Sequence, residues 1–136
     1  MATLCKDRGK SSAQFLETAR KLEKATIANC IRFPKRYTHL LTSGIVQLAI
    51  DVLNEVKSGN SIYPVNQHEV QMRRDCFTRA NNALQCLITQ VSVAQELEGV
   101  EIRETSWSEW FDLMEEEAVL IAAVKKNDRE RYKNLP

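Results

Sequence analysis

The side chains able to do acid–base, metal or nucleophilic chemistry are few in this 136-residue chain, and their spacing suits none of it. The four cysteines, Cys5, Cys30, Cys76 and Cys86, form no CxxC pair, and neither His39 nor His68 has a cysteine at zinc-ligand spacing. No metal site is expected, and the thiols read as small buried hydrophobes rather than disulfides. Cys86 is the exception, because it projects onto the polar side of its helix. The run Glu115-Glu116-Glu117 offers hard oxygen ligands, but consecutive helical residues point about 100° apart and cannot converge on one ion. It is expected to be a solvated face. Neither histidine follows a glutamate by three residues, as a di-iron bundle would require. Gly-rich phosphate loops, HExxH, nucleophile elbows and Walker lysines do not occur, so the reading is a non-enzymatic protein without a cofactor.

Basic residues offer a different chemistry, the recognition of phosphates. Arg20, Lys21 and Lys24 share a polar face with Glu17 and Glu23 interspersed, and Arg32, Lys35 and Arg36 cluster around Pro34. Arg74 and Arg79 lie further along, with Arg73, which is expected to pair with Glu69 one helical turn before it. These eight residues, Arg20, Lys21, Lys24, Arg32, Lys35, Arg36, Arg74 and Arg79, are the candidate nucleic-acid contacts. Without interleaved aromatics, binding to RNA or DNA would run through the backbone and be salt-sensitive and weakly specific. Net charge is only +1, but residues 1–95 hold 13 Lys/Arg against 7 Asp/Glu, residues 96–117 hold 1 against 9, and residues 118–136 hold 5 against 2. Such asymmetry serves an anionic partner, contact between subunits, or nothing beyond solvation.

The elements that must position these residues are all helical. Residues 66–98 contain neither glycine nor proline, and Val70, Phe77, Ala80, Ala83, Leu84, Leu87, Ile88, Val91 and Ala94 fall on one half of a helix. Asn66 and Glu69 form a capping-box pair, and Gly99 suits the exit. A helix on the order of 50 Å long is covered only by other long helices. Phe15, Leu16, Ala19, Leu22, Ala25, Thr26, Ile27, Cys30 and Ile31 have helical spacing before the break at Pro34. Tyr37, Leu40, Leu41, Ile45, Leu48, Val52 and Val56 follow, up to a stop at Ser58-Gly59-Asn60. Ser106 and Glu109 repeat the capping-box spacing and open a fourth helix with Trp110, Leu113, Met114, Ala118, Ile121 and Val124 towards the core and Trp107 and Phe111 as anchors. The spacing thus predicts an all-α, up-and-down four-helix bundle with helices over about 11–32, 35–58, 66–98 and 106–125. It forms one domain with residues 1–10 frayed, Ile62, Tyr63 and Val65 tucked onto the bundle end, and a mixed-charge tail over 126–136. Apolar residues cover more than half of helix two, so either it is the most buried helix or Val46, Ile50 and Leu53, with Cys86 and Val93, meet another subunit. No apolar run approaches a bilayer span and the N-terminus lacks a signal-peptide hydrophobic region, so a cytoplasmic protein without a membrane partner is expected.

The run Phe33-Pro34-Lys35-Arg36-Tyr37, then Leu41-Thr42-Ser43, a long amphipathic second helix and two further helices, resembles a bacterial four-helix-bundle family. That family includes the ribosomal-RNA intervening-sequence proteins and the accessory variability determinant of diversity-generating retroelements. The resemblance covers about residues 12–124 and implies an up-and-down bundle assembled into a barrel-like homopentamer. For the retroelement members it also implies a basic surface that binds nucleic acid and a reverse transcriptase. The chain departs from the family pattern at Arg36, where an acidic residue is usual, and at the Asn54–Gly59 close of helix two.

Overall fold

The computed structural model describes the backbone of residues 2–136 and the side chains from Gln14 onward. Four long helices carry the chain: α1 (Ala2–Cys30), α2 (Ser43–Asn60), α3 (Gln67–Gln95) and α4 (Glu104–Arg131). The described residues contain no strand. Each helix packs on two others, so the order around the bundle is α1, α2, α3, α4, with α1 diagonal to α3. Neighbours run antiparallel. Trp110 of α4 meets Thr26 of α1, Asp128 meets Arg73 of α3, and Phe77 of α3 lies against Gly59 of α2. The molecule is therefore an all-α four-helix bundle.

Period-3.6 apolar stripes close one continuous core. At one end Trp107 and Trp110 stack with ring centroids 5.7 Å apart, Phe33 meets Trp110 at 6.4 Å, and the Trp110 indole N–H donates to Thr26 Oγ1 at 2.9 Å. Towards the other end Phe15 and Phe77 meet edge-to-face across the bundle at 5.6 Å. Gly59 lies inside α2, where an added Cβ would stand 3.0 Å from the Phe77 ring, so its role is close packing rather than helix termination.

Several boundaries differ from the sequence reading. α1 begins at Ala2, so the backbone of residues 2–10, expected to be frayed, is helical, and residue 1 lies outside the described residues. Residues 35–42 enter α2 through one 3₁₀ turn (Lys35–Tyr37) and one π-helical turn (Thr38–Thr42) instead of regular α-helix. Asn66 caps α3 as expected, its side chain accepting from Glu69 N–H at 2.9 Å, but the Glu69 carboxylate reaches back to Val65 N–H rather than to Asn66. α4 starts at Glu104 with no side-chain cap from Arg103, so Ser106 is already inside the helix. Ile27 and Ile31 are 40 % and 77 % exposed, because they fall outside the arc of α1 that faces α2 and α4. Tyr63 and Val65 are also exposed, while Ile62 is half-buried.

The C-terminal segment is no loose tail. α4 continues to Arg131, Asp128 is buried, and Gln67 at the start of α3 donates its backbone N–H to Pro136 O and its side-chain amide to Tyr132 O and Leu135 O. Arg73 pairs with Asp128 and not with Glu69. Its Nε donates to Oδ2 at 2.6 Å and its Nη1 to the carbonyls of Gly59 and Ile62 at 3.2 Å, so one guanidinium joins α2, α3 and α4.

Candidate nucleic-acid interface

Arg20, Lys21 and Lys24 are all exposed on α1. At 100° per residue they lie within an arc of about 100°, opposite the buried face formed by Phe15, Ala19, Leu22 and Thr26. Arg32, in the turn just past α1, continues the stripe about 18 Å from Arg20, and Lys35 extends it around the corner. None of these five cations is in an ion pair among the described residues, and Glu17 is the one carboxylate inside the arc between Gln14 and Arg32.

The other candidates are elsewhere. Arg36, though exposed, is tied down: its Nη2 donates to Glu98 O at 2.9 Å, and Tyr37 Oη donates to the same carbonyl at 2.7 Å. The two side chains fasten the α1–α2 corner to the end of α3. Gly99 makes this possible, because it holds φ +84° and any Cβ there would collide with the Arg36 guanidinium. Arg79 is held by Glu55 of α2 at 3.0 Å, and that carboxylate raises its pKa by hydrogen bond and charge. Arg74 lines a shallow pocket between α3 and α4 with Val70, Lys125, Asp128 and Arg129. Because α3 is diagonal to α1, Arg74 and Arg79 cannot join the α1 stripe.

Of the candidate interface residues, Val46, Ile50 and Leu53 are half-buried along α2, whereas Cys86 and Val93 are exposed on α3. Val46 and Leu53 already pack on the edge of the core, which accounts for part of the apolar excess of α2. Cys86 and Val93 sit seven residues apart on α3, in line with Arg79 and the 46 % exposed Met72. The Arg79–Glu55 pair places this line on the α2 side of α3. Cys30 and Cys76 are buried free thiols, and burial pushes Cys30 up to about 12.

Glu117 overturns the reading of Glu115–Glu117 as a solvated face. It is wholly buried, and burial, reinforced by the charge of Glu116, raises its carboxyl to about 8. The one sequence signal for it is the spacing of Trp107, Trp110, Met114, Glu117, Ile121, Val124 and Asp128, which alternates three and four residues and puts Glu117 in line with the apolar stripe without showing that a charge is buried there. Arg129, which with Lys125 flanks Arg74, belongs to the last turns of α4 that the sequence reading placed in a tail. No group of three or more His, Cys, Asp or Glu side chains among the described residues could hold a metal ion. No described helix is long and apolar enough to cross a membrane.

These features define a four-helix bundle with a cationic stripe along α1 and a partly apolar stripe along α2 and the α2 side of α3. Compared with protein-family models, characterised proteins and solved structures, the chain matches none.

Proposed function

We propose that this bundle is a non-enzymatic nucleic-acid-binding accessory protein that grips the phosphate backbone of RNA or DNA with α1 and the α1–α2 corner. The observation that carries the reading is the stripe of Arg20, Lys21, Lys24, Arg32 and Lys35, exposed and without carboxylate partners among the described residues. Five such contacts would give a log–log salt slope of at most about −3.5 on single strands and −4.5 on duplex. Polarisation titrations with labelled RNA and DNA across salt test it. Replacing Arg20, Lys21 and Lys24 together by Ala should reduce the slope by about 2 to 3 and weaken binding on every sequence alike. Absence of binding at low salt removes the proposal.

Self-association would use the half-buried Val46, Ile50 and Leu53 with the exposed Cys86 and Val93, and α3 is diagonal to the helix that carries the cations. Assembly and nucleic-acid binding are then compatible. The family resemblance adds a homopentamer and a reverse transcriptase as the expected assembly and partner. A second reading, a protein-contact module without nucleic acid, is favoured by Ile31 and Leu40, 77 % and 82 % exposed at the same corner. Changing both to Ser leaves salt-dependent binding intact under the first reading and abolishes partner capture under the second.

A further inference from the structure

Two carboxylates occupy core positions of α4. Asp128 is answered by Arg73, but Glu117 has no exposed surface and neither of its oxygens has a hydrogen-bond partner among the described residues. Among the described residues the surrounding helices supply no countercharge. The buried face of α2 carries no ionisable group, and that of α1, among the described residues, only Cys30. On α3 the buried ionisable residues are Arg73 and Cys76, and Arg73 is committed to Asp128, about 16 Å along α4 from Glu117. On α4 itself the neighbouring Glu116 adds a like charge, and its own tie to α1 is a long contact, 3.4 Å from Thr18 Oγ1.

The seams around α4 also differ in kind from the one opposite. The buried face of α1 includes Thr18, Thr26 and Asn29, whereas that of α2 is entirely apolar and admits the Phe77 ring against Gly59. The α1–α4 contact is also less extensive than the α2–α3 contact, so separating α1 from α4 gives up less packing and lets a buried acid reach water. Separating α2 from α3 offers no such return.

We propose that Glu117 is a proton-operated latch: protonated, it lets α4 lie closed on α1, and on losing its proton it is driven to water, parting the α1–α4 seam while α2 and α3 stay paired. The closed state needs the neutral acid because no described group in the core compensates a charge. Opening places the carboxylate in solvent, where its ordinary acidity returns. Between about pH 6 and about pH 9 the open population should grow on the order of a hundredfold, given a closed-state value of about 8.

Pulsed hydrogen exchange on the full chain, corrected for intrinsic rates, reads this helix by helix. The expected result is an approximately hundredfold loss of protection in α1 and α4 over that range, little change in α2 and α3, and a flat profile in Glu117→Gln. Emission of Trp110, whose indole bridges the same seam to Thr26, should shift to the red in step with the exchange. Should the amide fail to fold in the core, Glu117→Met supplies an apolar side chain of similar volume with the same flat profile expected. Protection that does not change with pH, that is lost equally from all four helices, or that changes as much in the Gln and Met variants would each overturn the latch.

Discussion

Four core positions set specific energetic demands: three carry polar side chains and the fourth carries none. Arg73 and Asp128 make a buried ion pair in which each charge is tolerated only because the other is there. Asp128→Ala is expected to cost about 3 to 5 kcal/mol in chemical denaturation, and Arg73→Met with Asp128→Leu together much less. Gly59 is the absence: Gly59→Ala sets a methyl 3.0 Å from Phe77 and should destabilise by about 1 to 3 kcal/mol, with relief if Phe77 is shortened to Leu. Glu117 sets the pH dependence. Its folded value, about 8, lies above the unfolded 4.5, so the folded state holds the proton more tightly. Stability is fully present below about pH 4.5, declines as the pH rises, and levels off above about 8 after a loss on the order of 5 kcal/mol. Glu117→Met should flatten that curve and raise the melting temperature at about pH 9, as calorimetry across pH would record.

Among the elements, the corner between α1 and α2 is the most specified. Pro34 bars α1 from continuing, a 3₁₀ turn and a π turn re-aim the chain, and Arg36 and Tyr37 bind the Glu98 carbonyl in the turn that follows α3. The same geometry leaves Arg32 and Lys35 facing solvent. Gly99→Ala strains a positive φ and pushes Arg36 aside, so it should both destabilise by about 1 to 3 kcal/mol and alter the corner's affinity for nucleic acid. Denaturation and titration of one variant check both outcomes. At the start of α3, Asn66→Ala removes a formed cap and should cost about 1 kcal/mol with no effect on binding.

For the whole molecule, the diagonal placement of α1 and α3 keeps the cationic stripe of α1 away from Cys86 and Val93 on α3. Analytical ultracentrifugation should give a mass above 15.6 kDa that falls when Ile50 and Val93 are both changed to Glu, while the salt slope of nucleic-acid binding persists in the dissociated variant. A monomeric native chain would assign the half-buried α2 stripe wholly to the fold. The start of the acidic stretch 96–117 meets the basic corner where Arg36 donates to the backbone carbonyl of Glu98.

Helix count, helix type and most of the core were legible because they depend on local spacing. Phe77, Leu84, Leu87 and Val91 lie on the buried half of α3 wherever its neighbours stand, and Asn66 caps the same helix from three residues away. Exposure of Arg20, Lys21 and Lys24 followed from the same periodicity. Partnerships across helices were not legible. The sequence placed Glu69 one turn from Arg73, and that proximity favoured the local pair, yet the fold brings Asp128 from 55 residues away into the buried position. Likewise Glu117 and its two neighbours read alike as charges, and only packing decides that one of three consecutive glutamates enters the core and loses its water. Sequence alone determines which face of a helix is apolar, a property of one turn. Tertiary structure decides which buried charge finds a partner, because that depends on the register between segments remote in the chain.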